Sequence, residues 1–286
     1  MVLLRAYVAL MKLRVVELLL ISTIPAMILA EKGVPSLGII VATLVGGTLA
    51  AGSANAFNMV LESDLDKLMA RTAKRPVVTG QISKSNATVF ASAIGILSLI
   101  IFWIFTTPLA TLLALIAIIF YVVVYTMALK QRTAQNIVWG GIAGCMPVLI
   151  GQAAVTNSLT ATSWLFFLLI FFWTPPHFWA LAVRYKDDYA AAGIPMLPVV
   201  APIRSVITQM WFHSLAMVVV SLLVIRSAGL SNWLFVITLL LIVGWKRQLI
   251  KLTKQPSEVN AGKLFQASII FLSIYSFLLV LGVLLK

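Results

Sequence analysis

Charge is what this sequence has least of. Only 10% of its 286 residues are charged and just eight are acidic, whereas a water-soluble domain carries about 25% charged residues. A soluble globule is therefore excluded. Cysteine is nearly absent as well, with Cys145 alone, so no disulfide scaffold is available. The short alternating segments that mark a membrane β-barrel are missing, and so is the polar bias of a disordered chain. What remains is apolar: 62% hydrophobic residues and a mean hydropathy of +1.07, laid out in long unbroken runs. These features predict an all-α fold, a polytopic membrane helical bundle.

A helix needs about 20 apolar residues to cross the roughly 30 Å hydrocarbon core. That window predicts about nine transmembrane helices, near 15–30, 38–58, 86–106, 108–128, 137–154, 161–182, 205–226, 232–250 and 265–284, in a single integral-membrane domain over 1–286. No soluble tail is expected on either side. The first segment lacks a small-residue cleavage site and an Arg/Ser-rich presequence. It therefore reads as a retained span in a prokaryotic plasma membrane.

Lysine and arginine number 21 against the eight acids, a net charge of +13, and their placement is lopsided. With nine spans the connections alternate between two faces. One face collects eighteen basic residues: Arg5, Lys12, Arg14, Lys67, Arg71, Lys74, Arg75, Lys84, Lys130, Arg132, Arg184, Lys186, Arg204, Lys246, Arg247, Lys251, Lys254 and Lys263. The other keeps Lys32, Arg226 and Lys286. The positive-inside rule then puts the N-terminus and the long loops in the cytoplasm. An error of one span would scramble this split, so it also supports the count. Charge in the stretch Lys246 to Lys254 reads as topology and contact with membrane lipid. Nucleic acid is not an expected partner, because no soluble module presents the patch.

The few acids are clustered. Five of the eight fall in two places, Glu62, Asp64 and Asp66 after the second span and Asp187 and Asp188 after the sixth. Four spans separate the clusters and return both to one face, as a duplicated four-helix unit plus one extra helix would. In the first cluster, a continuous helix advancing about 100° per residue brings Asn55, Asn58, Glu62 and Asp66 onto one stripe and turns Asp64 to the opposite side. Carboxylates and amides, all oxygen donors, suit a hard ion such as Mg²⁺, which binds through one or two carboxylates plus substrate phosphates. Arg71, Lys74 and Arg75 follow at once. They read either as plain salt-bridge partners or as diphosphate donors, for which arginine forks are well matched.

The second cluster follows Pro175-Pro176-His177. On a continuous helix His177, Arg184 and Asp188 share a face. A histidine in a span is commonly a hydrogen-bonded packing residue, and His213 is read so; the charged neighbours of His177 leave a functional role open. Between the clusters lies a third polar loop from Tyr125-Thr126 through Lys130 and Arg132 to Asn136.

Asn58-x3-Glu62-x3-Asp66 followed by Met69-x-Arg71-Thr72-x-x-Arg75-Pro76 resembles the first motif of the UbiA-type intramembrane prenyltransferases, and more narrowly their heme O synthase (protoheme IX farnesyltransferase) branch. Three further stretches are similar to that branch: Tyr125-Thr126 through Lys130, Arg132 and Asn136 to Gly140-Gly141; Thr174-Pro175-Pro176-His177-Phe178-Trp179; and Lys186-Asp187-Asp188-Tyr189 leading to Pro195 and Pro198. The match runs in register from about residue 10 to 200, and the last three spans match in character only.

The resemblance implies a helical bundle with a cytoplasm-facing cavity open to lipid. Farnesyl diphosphate would lie in it with its diphosphate on Mg²⁺. Asn55, Asn58, Glu62 and Asp66 would form the first catalytic site and Asp187 and Asp188 the second. The metal ligands would come from Asn58, Glu62, Asp66, Asp187 and Asp188. Arg71, Lys74, Arg75, Lys130, Arg132 and Lys186 would hold diphosphate or heme propionates, and His177 would ligate or position the heme. Heme B is then a substrate, converted to heme O by farnesyl transfer and water addition, with a heme A synthase or terminal oxidase downstream. Two departures stand out: Met59 and Glu62 replace the Asp of many family members, and Ala192 stands four after Asp188, where many have a second Asp. A fully symmetric two-metal site is thereby put in question. Rival readings are a quinone-precursor or chlorophyll-like acceptor and, in another class, a secondary transporter. Transport sites lie near the bilayer midplane, whereas these acids sit at one membrane face, apart from Glu17 at the start of the first span.

Overall fold

The computed structural model describes residues 2–286, with only the backbone course given for Val2 and residues 14–20. The side chains of Arg14 and Glu17, assigned above to the basic face and to the start of the first span, lie outside the described residues. Everything described is helical or connecting. The order is α1 (Val2–Leu10), α2 (Leu13–Glu31), α3 (Leu37–Leu61), α4 (Ser63–Asp66), α5 (Lys84–Phe105), α6 (Pro108–Ile119) with a π-helical continuation (Phe120–Leu129), and α7 (Asn136–Gly140). Then come α8 (Ile142–Thr156), α9 (Ala161–Arg184), α10 (Lys186–Ala191), α11 (Leu197–Val200), α12 (Ile203–Ser227), α13 (Trp233–Lys254) and α14 (Glu258–Leu284).

Among the described residues eight helices, counting α6 with its π-continuation and α7 with α8 as one each, are long and apolar enough to cross a membrane. They make the chain an integral, multi-pass membrane protein, and α2, whose described apolar part is Ile21–Glu31, stands ahead of them where the first span is expected. Five of the helices start where a side chain takes up an orphan N–H. Ser36, Ser83, Thr107, Thr160 and Ser257 accept from the first turns of α3, α5, α6, α9 and α14, as N-caps do. Ser163 completes a reciprocal capping box with Thr160.

The most extensive pairings are α3 with α5 and α9 with α12. These hairpins occupy equivalent places in two successive four-helix units, and α2 packs on α8 to join the units. Without a water-driven hydrophobic effect between spans, close backbone approach and hydroxyl bonds hold such pairs. Ser53 donates to the Ala91 carbonyl at 2.8 Å and Ser98 to the Gly46 carbonyl at 2.7 Å. The inner helices α8 and α9 are buried over most of their surface, whereas α5 and α6 present Ile100, Trp103, Ile104, Leu112, Ile116 and Ile119 outward. In a bilayer those outward faces meet lipid.

Candidate active site

The last turns of α3 carry the first polar motif inward. Asn55 Nδ2 donates to the Met11 carbonyl at 3.1 Å, which ties down the turn between α1 and α2. Asn58 Nδ2 donates to Thr126 Oγ1 at 3.3 Å, and its Oδ1 accepts from Lys12 Nζ at 2.8 Å. The helix does not continue through the cluster, as the placement of the stripe assumed. It stops at Leu61, and Glu62 leaves helical geometry at φ −97°, ψ 6° before α4 restarts. Bonds from Glu62 N to the Asn58 carbonyl and from Asp66 N to the Glu62 carbonyl bridge the break. They preserve the rotation, so Asn55, Asn58, Glu62 and Asp66 still face inward. Asp64 faces out, its side chain 72% exposed between Lys67 and Lys84. Those two lysines, Lys67 first, hold its carboxyl below the usual carboxylate range.

Glu62 is 2% exposed and Asp66 0%. Lys130 Nζ lies 2.6 Å from Glu62 Oε2 and Arg75 Nη1 2.5 Å from Asp66 Oδ2. In each carboxylate the second oxygen, Glu62 Oε1 and Asp66 Oδ1, is buried without a hydrogen-bond partner. An unsatisfied buried acceptor costs about 1–3 kcal/mol, more when charged. Two such oxygens on adjacent turns of one motif, with the Asn58 amide a turn before them, are the kind of donor a hard divalent cation takes. The residues present therefore fit Mg²⁺. Around them stand three cations, Lys12, Arg75 and Lys130. Burial, and after it Arg75 and Lys130, lowers the Lys12 ammonium to about 7 against the opposing pull of Glu62 and Asp66. The cluster is thus arranged to receive a polyanion.

A cavity of about 360 Å³ opens at this cluster. Lys12, Asn55, Asn58, Arg71, Arg75 and Lys130 line its polar end, and Tyr121, Tyr125 and His177 contribute to its wall. Thr43 and Gly47, also lining it, lie on α3 about 15–20 Å deeper by the 1.5 Å rise per residue. The π-helical continuation of α6 shapes one side. Lys130 N bonds the Tyr125 carbonyl and Thr126 Oγ1 the Tyr121 carbonyl, both five residues back, at 2.9 Å. This wider turn sets Thr126 against Asn58 while Tyr121 and Tyr125 face the cavity. A Cβ at Gly140 would lie 2.2 Å from Tyr125 Cδ2, so only glycine admits that ring.

His177 is buried, its ring stacked between Trp173 at 4.2 Å and Phe265 at 4.5 Å, with Nδ1 2.5 Å from Ser268 Oγ. Arg184 and Asp188, expected to share its face, do not line the cavity with it. α9 ends at Arg184, Tyr185 leaves the helix at φ −111°, ψ 31°, and the Arg184 guanidinium turns over the Tyr185 ring at 5.7 Å. His213 packs under the edge of Trp179 and donates Nδ1–H to the Gln209 carbonyl at 2.8 Å.

The second acidic loop is placed differently from the first. Lys186 and Asp187 are exposed and Asp188 half-buried, and none of the three lines the cavity. Tyr189 on α10 does. Arg71 stands over the rings of Tyr185 and Tyr189 at 5.8 and 5.9 Å, so the two loops meet through a cation and two aromatic faces. Among the described residues no group of three or more His, Cys, Asp or Glu is drawn together. The five-residue ligand set spanning both loops is therefore not assembled, because Glu62 and Asp66 turn to Lys130 and Arg75 while α10 lies on the rim. Lys74 and Arg132 are also exposed and outside the cavity. Lys12, Tyr121, Tyr189 and Ser268 join the site without having been singled out. For Lys12 the available signal was its place just ahead of the first span; for Ser268 there was none.

Comparison with known proteins bears on this arrangement. The chain is 52% identical over 241 residues to a protoheme IX farnesyltransferase of Pseudarthrobacter chlorophenolicus, covering 84% of this chain and 75% of that one. It is 48% identical over 276 residues to the protein of that name from Paenarthrobacter aurescens, covering 94% and 86%. Its fold is similar to a solved digeranylgeranylglyceryl phosphate synthase, with a TM-score of 0.83 at 16% identity over the whole of both chains. It is also similar to a UbiA homologue from Archaeoglobus fulgidus solved with DMAPP and Mg²⁺, with a TM-score of 0.71 at 18% identity over 96% and 98%. The family model for UbiA prenyltransferases matches residues 19–277, nearly the whole bundle and both polar loops, so the chain belongs to the UbiA prenyltransferase family.

Proposed function

We propose that this protein transfers the farnesyl group of farnesyl diphosphate to a vinyl group of heme B, with addition of water, to give heme O and diphosphate. The observation that carries the reading is the buried pair Glu62 and Asp66, each with one oxygen held by a cation and the other unpartnered, directly behind Lys130 and Arg75, which line the polar end of a membrane cavity. The acceptor is supported by the relatives' shared name at about half identity.

Glu62 Oε1, Asp66 Oδ1 and the Asn58 amide would hold Mg²⁺, which when bound supplies positive charge to the diphosphate leaving group. Lys12, Arg71, Arg75 and Lys130 take the remaining diphosphate oxygens as charge-assisted donors. As the farnesyl C1–O bond breaks, its electron pair leaves with the diphosphate, and these cations stabilise the charge that develops there. The vinyl π electrons of heme B form the new bond to C1. Water captures the cation left beside the porphyrin ring and loses a proton, which yields the hydroxyethylfarnesyl group. The apolar wall keeps bulk water from the allylic carbon before that bond forms. Asn55 positions Lys12 through Met11. Lys74, Arg132 and Lys186, exposed on the loop face, supply charge for the heme propionates, and Asp187 and Asp188 bound the rim.

The basic loops support a cytoplasmic orientation of this face in a plasma membrane, and the product would pass to a heme A synthase or terminal oxidase. The test is purified protein with heme B, farnesyl diphosphate and Mg²⁺, read by liquid chromatography and mass spectrometry against an EDTA control. A Mg²⁺-dependent product heavier by one farnesyl group plus water is expected. Consumption of farnesyl diphosphate only with other acceptors would discard heme and keep the prenyl transfer.

A further inference from the structure

We propose that Ser268 on α14 sets the tautomer of His177 and so presents the bare Nε2 of that ring to the iron of the tetrapyrrole substrate, an inference that rests on the heme reading above.

Ser268 is fully buried, and its Oγ lies 2.5 Å from the Phe265 carbonyl oxygen. A carbonyl can only accept, so the hydroxyl hydrogen is committed there. The same Oγ lies against His177 Nδ1. With its own hydrogen spent, it can only accept, and the network therefore assigns the ring proton to Nδ1. Nε2 is left with its lone pair, and among the described residues it has no hydrogen-bond partner. The ring cannot swing away, since Trp173 and Phe265 stack on its two faces. Trp173 is pinned by the same residue, its Nε1 donating to the Ser268 carbonyl at 2.9 Å. One serine thus anchors both aromatic side chains of α9 to α14, beside a cavity that both line.

A neutral imidazole that donates one N–H to a fixed oxygen and offers the other nitrogen bare is the usual arrangement of a metal-ligating histidine. A packing histidine needs neither a fixed tautomer nor a free nitrogen at a cavity wall. The tetrapyrrole is then held from the α9–α14 side while the diphosphate is held by α3 and its loop, which fixes the vinyl group relative to farnesyl C1.

Purified full-length protein in detergent, titrated with ferric heme B and followed by its Soret and visible bands, tests the assignment alongside steady-state kinetics. Ser268→Ala should weaken heme binding about 10–100-fold, as loss of an outer partner of a metal ligand does. It should raise KM for heme without changing KM for farnesyl diphosphate, and it should alter the ligand-dependent bands. Ser268→Thr, which keeps the hydroxyl, should restore them, and added imidazole should restore the bands in His177→Gly. Wild-type bands and KM in a folded Ser268→Ala variant would overturn the proposal. So would a loss in Ser268→Ala that leaves the bands unchanged, because that is packing. Unaltered bands in His177→Ala that still farnesylates heme would remove the iron contact and leave the function standing. Absence of any heme product from folded wild-type protein would instead overturn the function itself.

Discussion

Two acidic loops close the same ends of two equivalent hairpins, and they differ in burial and in partners. In the α3–α5 loop the chain breaks at Glu62 but keeps its helical rotation, so Glu62 and Asp66 stay inside with Lys130 and Arg75 on one oxygen each. In the α9–α12 loop the break at Tyr185 is bridged in the same way, yet Asp187 is exposed, Asp188 half-buried, and from α10 Tyr189 alone lines the cavity. Carboxylates in equivalent positions thus acquire different surroundings, and burial and partners, not charge alone, set what a carboxylate can hold.

The contrast is broken or sharpened by a graded series of measurements. Chelation of divalent cations should have the largest effect: product in the mass-spectrometric assay falls to background with EDTA and returns with excess Mg²⁺. Full turnover in EDTA would remove the metal from the first loop. Asp66→Asn should lower kcat about 10²–10³-fold, the scale seen when an electrostatic stabiliser is lost, while far-ultraviolet dichroism stays helical. Near-normal turnover would end the distinction between the loops. Arg75→Ala should be the more damaging change to stability, since it strands a buried carboxylate at a cost of about 3–5 kcal/mol; a thermal melt in detergent compares it with the double variant, which should recover part of the loss. In the second loop Asp187→Asn should cost less than about fivefold in turnover, the scale of a solvent-screened charge. A loss matching that of Asp66→Asn would mean that α10 closes onto the diphosphate. Asp64→Asn should leave kcat unchanged, because Lys67 and Lys84 meet it in solvent.

Much of this was legible along the chain. Apolar runs of span length and the uneven distribution of lysine and arginine depend only on composition and order, because the bilayer imposes one length and the translocation machinery reads local charge. The inward stripe of Asn55, Asn58, Glu62 and Asp66 was legible too, since helical periodicity is local, and it survived even the break at Glu62. Of the face expected to join His177, Arg184 and Asp188, only His177 reaches the cavity: Arg184 turns to the Tyr185 ring and Asp188 lies past the end of α9, which the rotation along one helix does not foretell.

Sequence alone determined the membrane class, the number of long helices, the face that carries the charge and the family. Tertiary structure decided which charges meet: that Lys12 reaches Asn58 across 46 residues, that Lys130 takes Glu62 across 68 and that Ser268 takes His177 across 91. The reason is physical. Periodicity orders residues within about one helix, whereas contacts between helices follow from how several apolar surfaces pack at once, and no local pattern encodes that sum.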